Sequence, residues 1–316
     1  MQASDQIWMN GKFVPWEDAQ VHVLTHALHY GTSVFEGVRC YDTELGPAVF
    51  RHRDHVDRLF ASARAYFMDL PFTADEIQSA TLELISRNGL RSCYIRPIAY
   101  RGYGSMGLFP LTVDVDVTIA CWEWGLYLGE DGKRDGIRGK ISSWRRISPN
   151  ALIPYAKAGG QYLNSILAKV EAHNAGYDEA ILLDHLGNVC EGTGENIFVI
   201  RDGEIATPPM TSSILEGITR ASIIKIAADM GHTVVEREIA ADELALADEV
   251  FLTGTAAEMV PVREIDDRPV GEGKPGEITK ALLEVYEDAL HGRDERYTDW
   301  LDPVPEGPSG GKADAA

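Results

Sequence analysis

Alternating apolar and polar positions open the chain. Ile7, Trp8 and Met9 run into Asn10-Gly11 and then residues 12–16, which predicts a hairpin because Asn-Gly accepts the positive φ angles of a two-residue turn. A short apolar run at 48–50 leads into a helical period over 52–67. A second helix is expected over 75–88, stopped by Gly89, with strands over 93–100 and 113–122 after it. These elements predict a small α/β domain over residues 1–125. The glycine-rich polar run that follows reads as a connector, 126–139. Beyond it strands dominate, at 137–142, 180–184, 196–201 and 249–253, and Asp202-Gly203 marks another hairpin. Helices are expected over 159–175, over 217–230 and over 277–290, and a tail rich in Pro, Gly, Ser and Ala, 303–316, reads as disordered. The fold class is therefore α+β, with a larger β-rich domain over 140–302.

Composition narrows the classes of function. At 316 residues and 45% hydrophobic content, two domains with substantial cores are the natural expectation. No stretch approaches the roughly 18–20 apolar residues that a membrane span requires, so no membrane partner is expected. Residues 1–5 carry neither a basic nor an apolar run, which points away from a signal peptide and towards the cytoplasm. A formal net charge of −20 with no basic face argues against a nucleic-acid partner. Any anionic ligand must then be held by local positive charge. Cys40, Cys93, Cys121 and Cys190 are too widely spaced for a zinc or redox motif, and all four read as reduced and structural.

Four segments carry candidate chemistry. Lys157 sits between Ala156 and Ala158, just ahead of Gly159-Gly160 and a helix, where small neighbours leave room for a flat ring beside the amine. On that segment alone, the plainer reading of an exposed loop lysine prevails. Glu191-Gly192-Thr193-Gly194-Glu195-Asn196 places two carboxylates and an amide before a strand; Glu191 there suits a pyridine nitrogen, and a turn with solvated acids suits the string equally. Residues 212–221 enter a helix through Gly217 and Thr219, where free backbone N–H groups favour phosphate, against a reading of plain capping. Thr253-Gly254-Thr255-Ala256-Ala257 ends a strand in small residues that suit a carboxylate cradle.

Together with His26-Ala27-Leu28-His29-Tyr30-Gly31, Phe35-Glu36-Gly37-Val38-Arg39, Phe50-Arg51-His52 and Tyr94-Ile95-Arg96-Pro97, these segments resemble the class IV (fold-type IV) pyridoxal-phosphate aminotransferases, most of all their bacterial branched-chain amino-acid branch. The resemblance runs from about residue 8 to 290 and implies a small α/β domain beside a larger β-rich pseudo-barrel domain. It implies transamination between leucine, isoleucine or valine and 2-oxoglutarate, in an assembly that is a homodimer at least and a hexamer in some members. It implies pyridoxal 5'-phosphate as cofactor, held as a Schiff base by Lys157, which also carries the proton. Glu191 would pair with the pyridine nitrogen and Tyr162 with the phenolic oxygen. Arg58, Leu215, Gly217, Ile218, Thr219, Gly254 and Thr255 would surround the cofactor, with Arg58, Ile218, Thr219 and Thr255 on its phosphate. Tyr30, Phe35, Gly37, Tyr94, Arg96, Trp124, Tyr127, Thr255 and Ala256 would meet the substrate, Tyr30 from the partner subunit. Glu216 departs from the family, which commonly has proline there.

Rival motifs are weaker. Gly102-Tyr103-Gly104-Ser105-Met106-Gly107 spells a dinucleotide fingerprint but needs a helix that Leu108-Phe109-Pro110 does not start; a mobile loop suits it better. His22, His26 and His29 lack a completing ligand, so no metal is expected, and His52 and His55 read the same way. A D-amino-acid or R-amine aminotransferase, or an aminodeoxychorismate lyase, would keep Lys157 and Glu191 and change the pocket.

Overall fold

The computed structural model describes residues 3–125 and 127–306 and divides into two compact units, one built from the chain up to Trp124 together with the stretch from Ala289 onward, the other Gly125–Asp288.

The first unit is an eight-stranded sheet with two long helices on it. Strand β1 (Gln6–Met9) turns through Asn10 and Gly11, both at positive φ (47° and 86°), into β2 (Lys12–Pro15), as a type I′ hairpin requires. Helix α1 (His26–Tyr30) precedes β3 (Ser33–Phe35), β4 (Val38–Thr43) and β5 (Gly46–Phe50). Helix α2 (His52–Ala65) buries Val56, Leu59 and Ala63 at helical spacing. Helix α3 (Ala74–Arg87) starts on a capping box between Thr73 and Glu76. Strands β6 (Cys93–Arg101) and β7 (Val115–Trp122) pair antiparallel, and on β7 alternate residues Val117, Ile119 and Cys121 are buried. The chain's last strand, Leu301–Pro303, returns to pair with β5. The expected tail therefore begins too early: Pro303 lies opposite Ala48, and residues 307–316 fall outside those described.

In the second unit the expected connector, apart from Leu126, which falls outside the described residues, holds structure of its own. Residues Gly129–Asp135 form helix α4, with no buried side chain, and β8 (Ile137–Arg145) follows at once. The unit continues with α5 (Tyr162–Asn174), β9 (Glu179–Leu183), β10 (Val189–Glu191), β11 (Asn196–Arg201), β12 (Glu204–Thr207), α6 (Ile218–Asp229), β13 (Val234–Glu236), β14 (Glu249–Gly254), β15 (Glu258–Ile265), β16 (Arg268–Pro269) and α7 (Glu277–Leu290). Pairing runs β10-β9-β8-β15-β14-β11, and β11 pairs back to β10, which closes six strands into a barrel. Ile181, Val189, Ile197, Leu252 and Val262 fill one core cluster, each almost fully withdrawn from solvent. Each such side chain contributes about 1.5–3 kcal/mol by leaving water. Across the register, Phe198 stacks on Phe251 at 4.8 Å. The four cysteines are free and buried. No described helix is long and apolar enough to cross a membrane.

Candidate active site

The predicted site residues fall in both units. In the second, Lys157, Tyr162, Glu191, Asn196 and Leu215 line one pocket together with Arg146, Gln161, Thr193 and Glu195. Lys157 lies in the loop ahead of α5, between the buried Ala156 and Ala158, and its Nζ is 6.0 Å from the ring centre of Tyr162, the first residue of that helix. Glu191 ends β10, where its backbone faces Asn196 across the turn. Arg146 Nε donates to its Oε1 at 2.6 Å, while Asn196 Nδ2 (3.2 Å) and the Leu215 backbone N–H (3.0 Å) donate to Oε2. Burial pushes the Glu191 carboxyl upward; Arg146, the Leu215 amide and the Lys157 ammonium pull against it.

Beside this carboxylate, α6 begins at Gly217 with no side chain capping it, so the first amides of the helix, those of Ile218 and Thr219 among them, have no acceptor within the helix. A Cβ on Gly217 would lie 1.8 Å from Asn196 Oδ1, so glycine is needed for the loop to pass. Residue 216 is exposed, so the Glu216 side chain lies at the surface of this loop. Asn196 is also opposite Thr253 in the β11–β14 ladder, which brings Gly254, Thr255 and Ala256 next to the Glu191–Asn196 turn.

A buried charge cluster adjoins the pocket, and sequence spacing gave no sign of it. Lys169 Nζ donates to Glu179 Oε2 at 2.6 Å, Thr193 Oγ1 donates to Glu179 Oε1 at 2.7 Å, and the Gly194 N–H donates to Glu195 at 3.0 Å. Lys169 also lies 5.2 Å from the ring centre of Tyr127, which is otherwise exposed. Burial first, then the Glu179 carboxylate, pushes Glu195 up to about 8. Its folded-state value is thus raised, so folding retains a proton that the unfolded chain releases, and stability falls as pH rises from about 4.5 to about 8. Glu195→Gln is expected to remove this slope, worth up to about 1.36 kcal/mol per pH unit. Urea unfolding at pH values across that window checks it: parallel curves for both proteins would mean Glu195 folds ionised.

In the first unit a second cluster forms. Arg96 Nη2 donates to the Tyr94 hydroxyl at 3.1 Å, and its guanidinium lies 4.7 Å from the Phe35 ring centre. Tyr94 packs edge-on against Trp124 at 4.6 Å. A Cβ on Gly37 would lie 2.0 Å from the Tyr94 oxygen, so only glycine leaves that hydroxyl its place. Tyr30, at the end of α1, is exposed.

Arg58 is also in the first unit, on α2, where its Nε and Nη2 donate to both oxygens of Glu36 at 2.7 and 2.8 Å. His55 Nδ1 lies 2.8 Å from the same carboxylate. Burial alone would raise the Glu36 carboxyl; Arg58 and His55 outweigh it and hold it well below the usual range. Glu36 stands in one of the matching strings, but its role is not legible there because its partners lie 19 and 22 positions away. Glu36→Ala removes the buried carboxylate that Arg58 and His55 share, so a loss of about 3–5 kcal/mol of unfolding free energy is expected. Its contribution is complete above the ordinary carboxylate range and shrinks as pH falls below it. Chemical denaturation of wild type and variant at neutral and acid pH measures both effects.

His26 Nδ1 is 2.8 Å from Thr32 Oγ1 and its Nε2 is 2.8 Å from the Gly107 carbonyl. Among the described residues no group of His, Cys, Asp and Glu is arranged for a metal. No helix opens at residues 102–109.

Comparison with known proteins agrees with the geometry. The family model "Amino-transferase class IV" matches residues 33–265, well over half the chain. The branched-chain-amino-acid aminotransferase of Escherichia coli (strain K12) is 49% identical over 302 residues, covering 95% of this chain and 98% of that protein. A crystal structure of the Escherichia coli branched-chain amino acid aminotransferase superposes with a TM-score of 0.94 at 48% identity, covering 96% of this chain and all of that one. A T.th. branched-chain amino acid aminotransferase solved with pyridoxamine 5'-phosphate gives 0.93 at 51% identity, with 96% and 100% coverage. The chain belongs to the class IV aminotransferases.

Proposed function

We propose that the chain transfers the amino group of leucine, isoleucine or valine to 2-oxoglutarate, with pyridoxal 5'-phosphate as cofactor. The observation that carries this reading is the convergence of Lys157, Tyr162 and a buried, triply hydrogen-bonded Glu191 on one pocket. The donor set fits the cofactor: an amine, a phenol, a buried carboxylate, and uncapped helix amides for a phosphate at Ile218 and Thr219. When bound, that cofactor supplies an electrophilic carbon and an electron sink for the substrate. Lys157 Nζ would hold it covalently at rest and would carry the proton that leaves the substrate Cα. Glu191 would keep a proton on the ring nitrogen, and Tyr162 would donate to the ring oxygen. Leu215, Gly217, Ile218, Thr219, Gly254 and Thr255 would surround the cofactor. Arg58, oriented by Glu36, supplies its positive charge to the phosphate.

For the substrate, Phe35, Gly37, Tyr94 and Trp124 offer an aromatic, apolar wall suited to branched side chains, with Tyr30 and Tyr127 completing it. Arg96 takes the distal carboxylate of glutamate, and the amides of Thr255 and Ala256 take the α-carboxylate. A homodimer at least is supported by an exposed apolar stripe on α5, where Leu163, Ile166, Leu167 and Val170 share one face. Sedimentation of the purified protein reads the assembly directly.

An amino-donor screen with 2-oxoglutarate as acceptor tests the activity. Leucine, isoleucine and valine are expected to yield glutamate, while D-amino acids are not. Turnover of D-alanine or of an R-amine in their place would move the chain to another branch of the family.

A further inference from the structure

We propose that Arg146 is a positioning residue for this reaction, fixing the Glu191 carboxylate through which the cofactor's ring nitrogen would be held. The inference rests on the role proposed for Glu191 and deepens it. Arg146 follows β8 directly, and its backbone N–H donates to the Leu183 carbonyl of β9 at 2.8 Å, which ties the residue to the barrel wall. Its side chain is 8% exposed and that of Glu191 7%, so the 2.6 Å contact between them is almost wholly out of water.

The donor count gives the pair its meaning. A carboxylate has four acceptor positions, two on each oxygen. The Asn196 amide and the Leu215 N–H fill both positions on Oε2, and Arg146 fills one on Oε1. The remaining position is therefore on Oε1, the oxygen that Arg146 holds. A fourth donor, such as a protonated ring nitrogen, has to share that oxygen with the guanidinium. Arg146 thus does two things: it stops the carboxylate rotating, and it opposes the burial that favours a proton on Oε1. A proton there would occupy the position and turn an acceptor into a donor.

The other charged or titratable groups round Glu191 do not replace it. Lys157 acts through space but is committed to holding the cofactor and moving the substrate proton, Glu195 on the neighbouring turn adds negative charge when it ionises, and Cys190 beside it is held neutral by burial.

Apoenzyme labelled with 13Cδ-glutamate supplies the test, with the Glu191 signal identified by its loss in Glu191→Gln. In Arg146→Met that signal is expected to titrate at least about one pH unit higher than in wild type, the shift one adjacent charge produces, with Arg146→Lys between the two. In the loaded enzyme Arg146→Met is expected to lower kcat by roughly 10–100-fold, as removal of a supporting partner does, with the KM for leucine little changed. The deficit is expected to be greatest at low pH and to shrink as rising pH ionises Glu191. An unshifted Glu191 titration, or a deficit of one size at every pH, would mean that Arg146 merely supports the fold. If Arg146→Met does not fold, Arg146→Lys and Arg146→Gln carry the same titration. Full activity in Glu191→Gln would overturn the underlying role of Glu191, whereas an inactive Glu191→Gln beside an unshifted titration would overturn only the inference.

Discussion

Lys157→Ala is expected to lower turnover by several orders of magnitude while the protein still folds. In the proposed reaction one amine would serve two purposes, covalent attachment of the cofactor and transport of the proton from the substrate Cα, so its loss would remove both at once. Folding is expected to survive because the residue lies in a loop between Ala156 and Ala158, and its side chain is only half-buried. Cofactor retention is expected in part, since the amides at the start of α6 and the Glu191 carboxylate are untouched. Absorbance of the loaded variant, with single-turnover kinetics on leucine, measures both. An undiminished rate with an unaltered absorbance band would remove Lys157 from the reaction, and Lys169, held by Glu179, would be the next amine to test.

How far the sequence disclosed this arrangement depended on whether a feature was local. The hairpin at Asn10-Gly11 and the helix over Glu277–Leu290 were legible because turn chemistry and helical period lie within a few consecutive residues. Helix α4 was not: Gly-Glu-Asp-Gly-Lys-Arg-Asp has no apolar face and two glycines, and what anchors its end of the unit is tertiary, the Lys133 ammonium on Glu258 and Glu287. Strand β4 escaped notice because Val38–Tyr41 are all buried, so the period-two alternation that marks a half-exposed strand is missing. The site shows the same division. Lys157, Glu191 and Thr219 stood in recognisable strings, whereas Arg146 and Glu36 act on residues 45 and 22 positions away, a distance only the folded chain closes. The Lys169, Glu179 and Glu195 cluster likewise draws on α5, β9 and the turn before β11, and each residue alone reads as an ordinary surface charge.

Arg96→Met is expected to separate the two halves of the transamination cycle. Leucine presents an apolar fork where glutamate presents a carboxylate, and burying that carboxylate without a partner costs far more than burying two methyl groups. Arg96 is the residue proposed to meet it. It stacks 4.7 Å from the Phe35 ring, and among the described residues its one hydrogen bond is to the Tyr94 hydroxyl and its Nε makes none. Arg101, on the same strand, gives both of its Nη groups to the carbonyls of Val113 and Phe67, although its Nε, like that of Arg96, has no partner among the described residues. Arg96 keeps donors in hand, and methionine would preserve its apolar stem against Phe35 while removing every one of them. The substitution is therefore expected to weaken glutamate and 2-oxoglutarate by about 2–5 kcal/mol, the range for losing one partner of a buried charge pair, and to leave leucine much less affected. Single-turnover kinetics with each amino acid separately decides the matter. Equal losses for leucine and glutamate would assign Arg96 to the fold or to the carboxylate both substrates share, and the cation for the glutamate side chain would have to come from another residue.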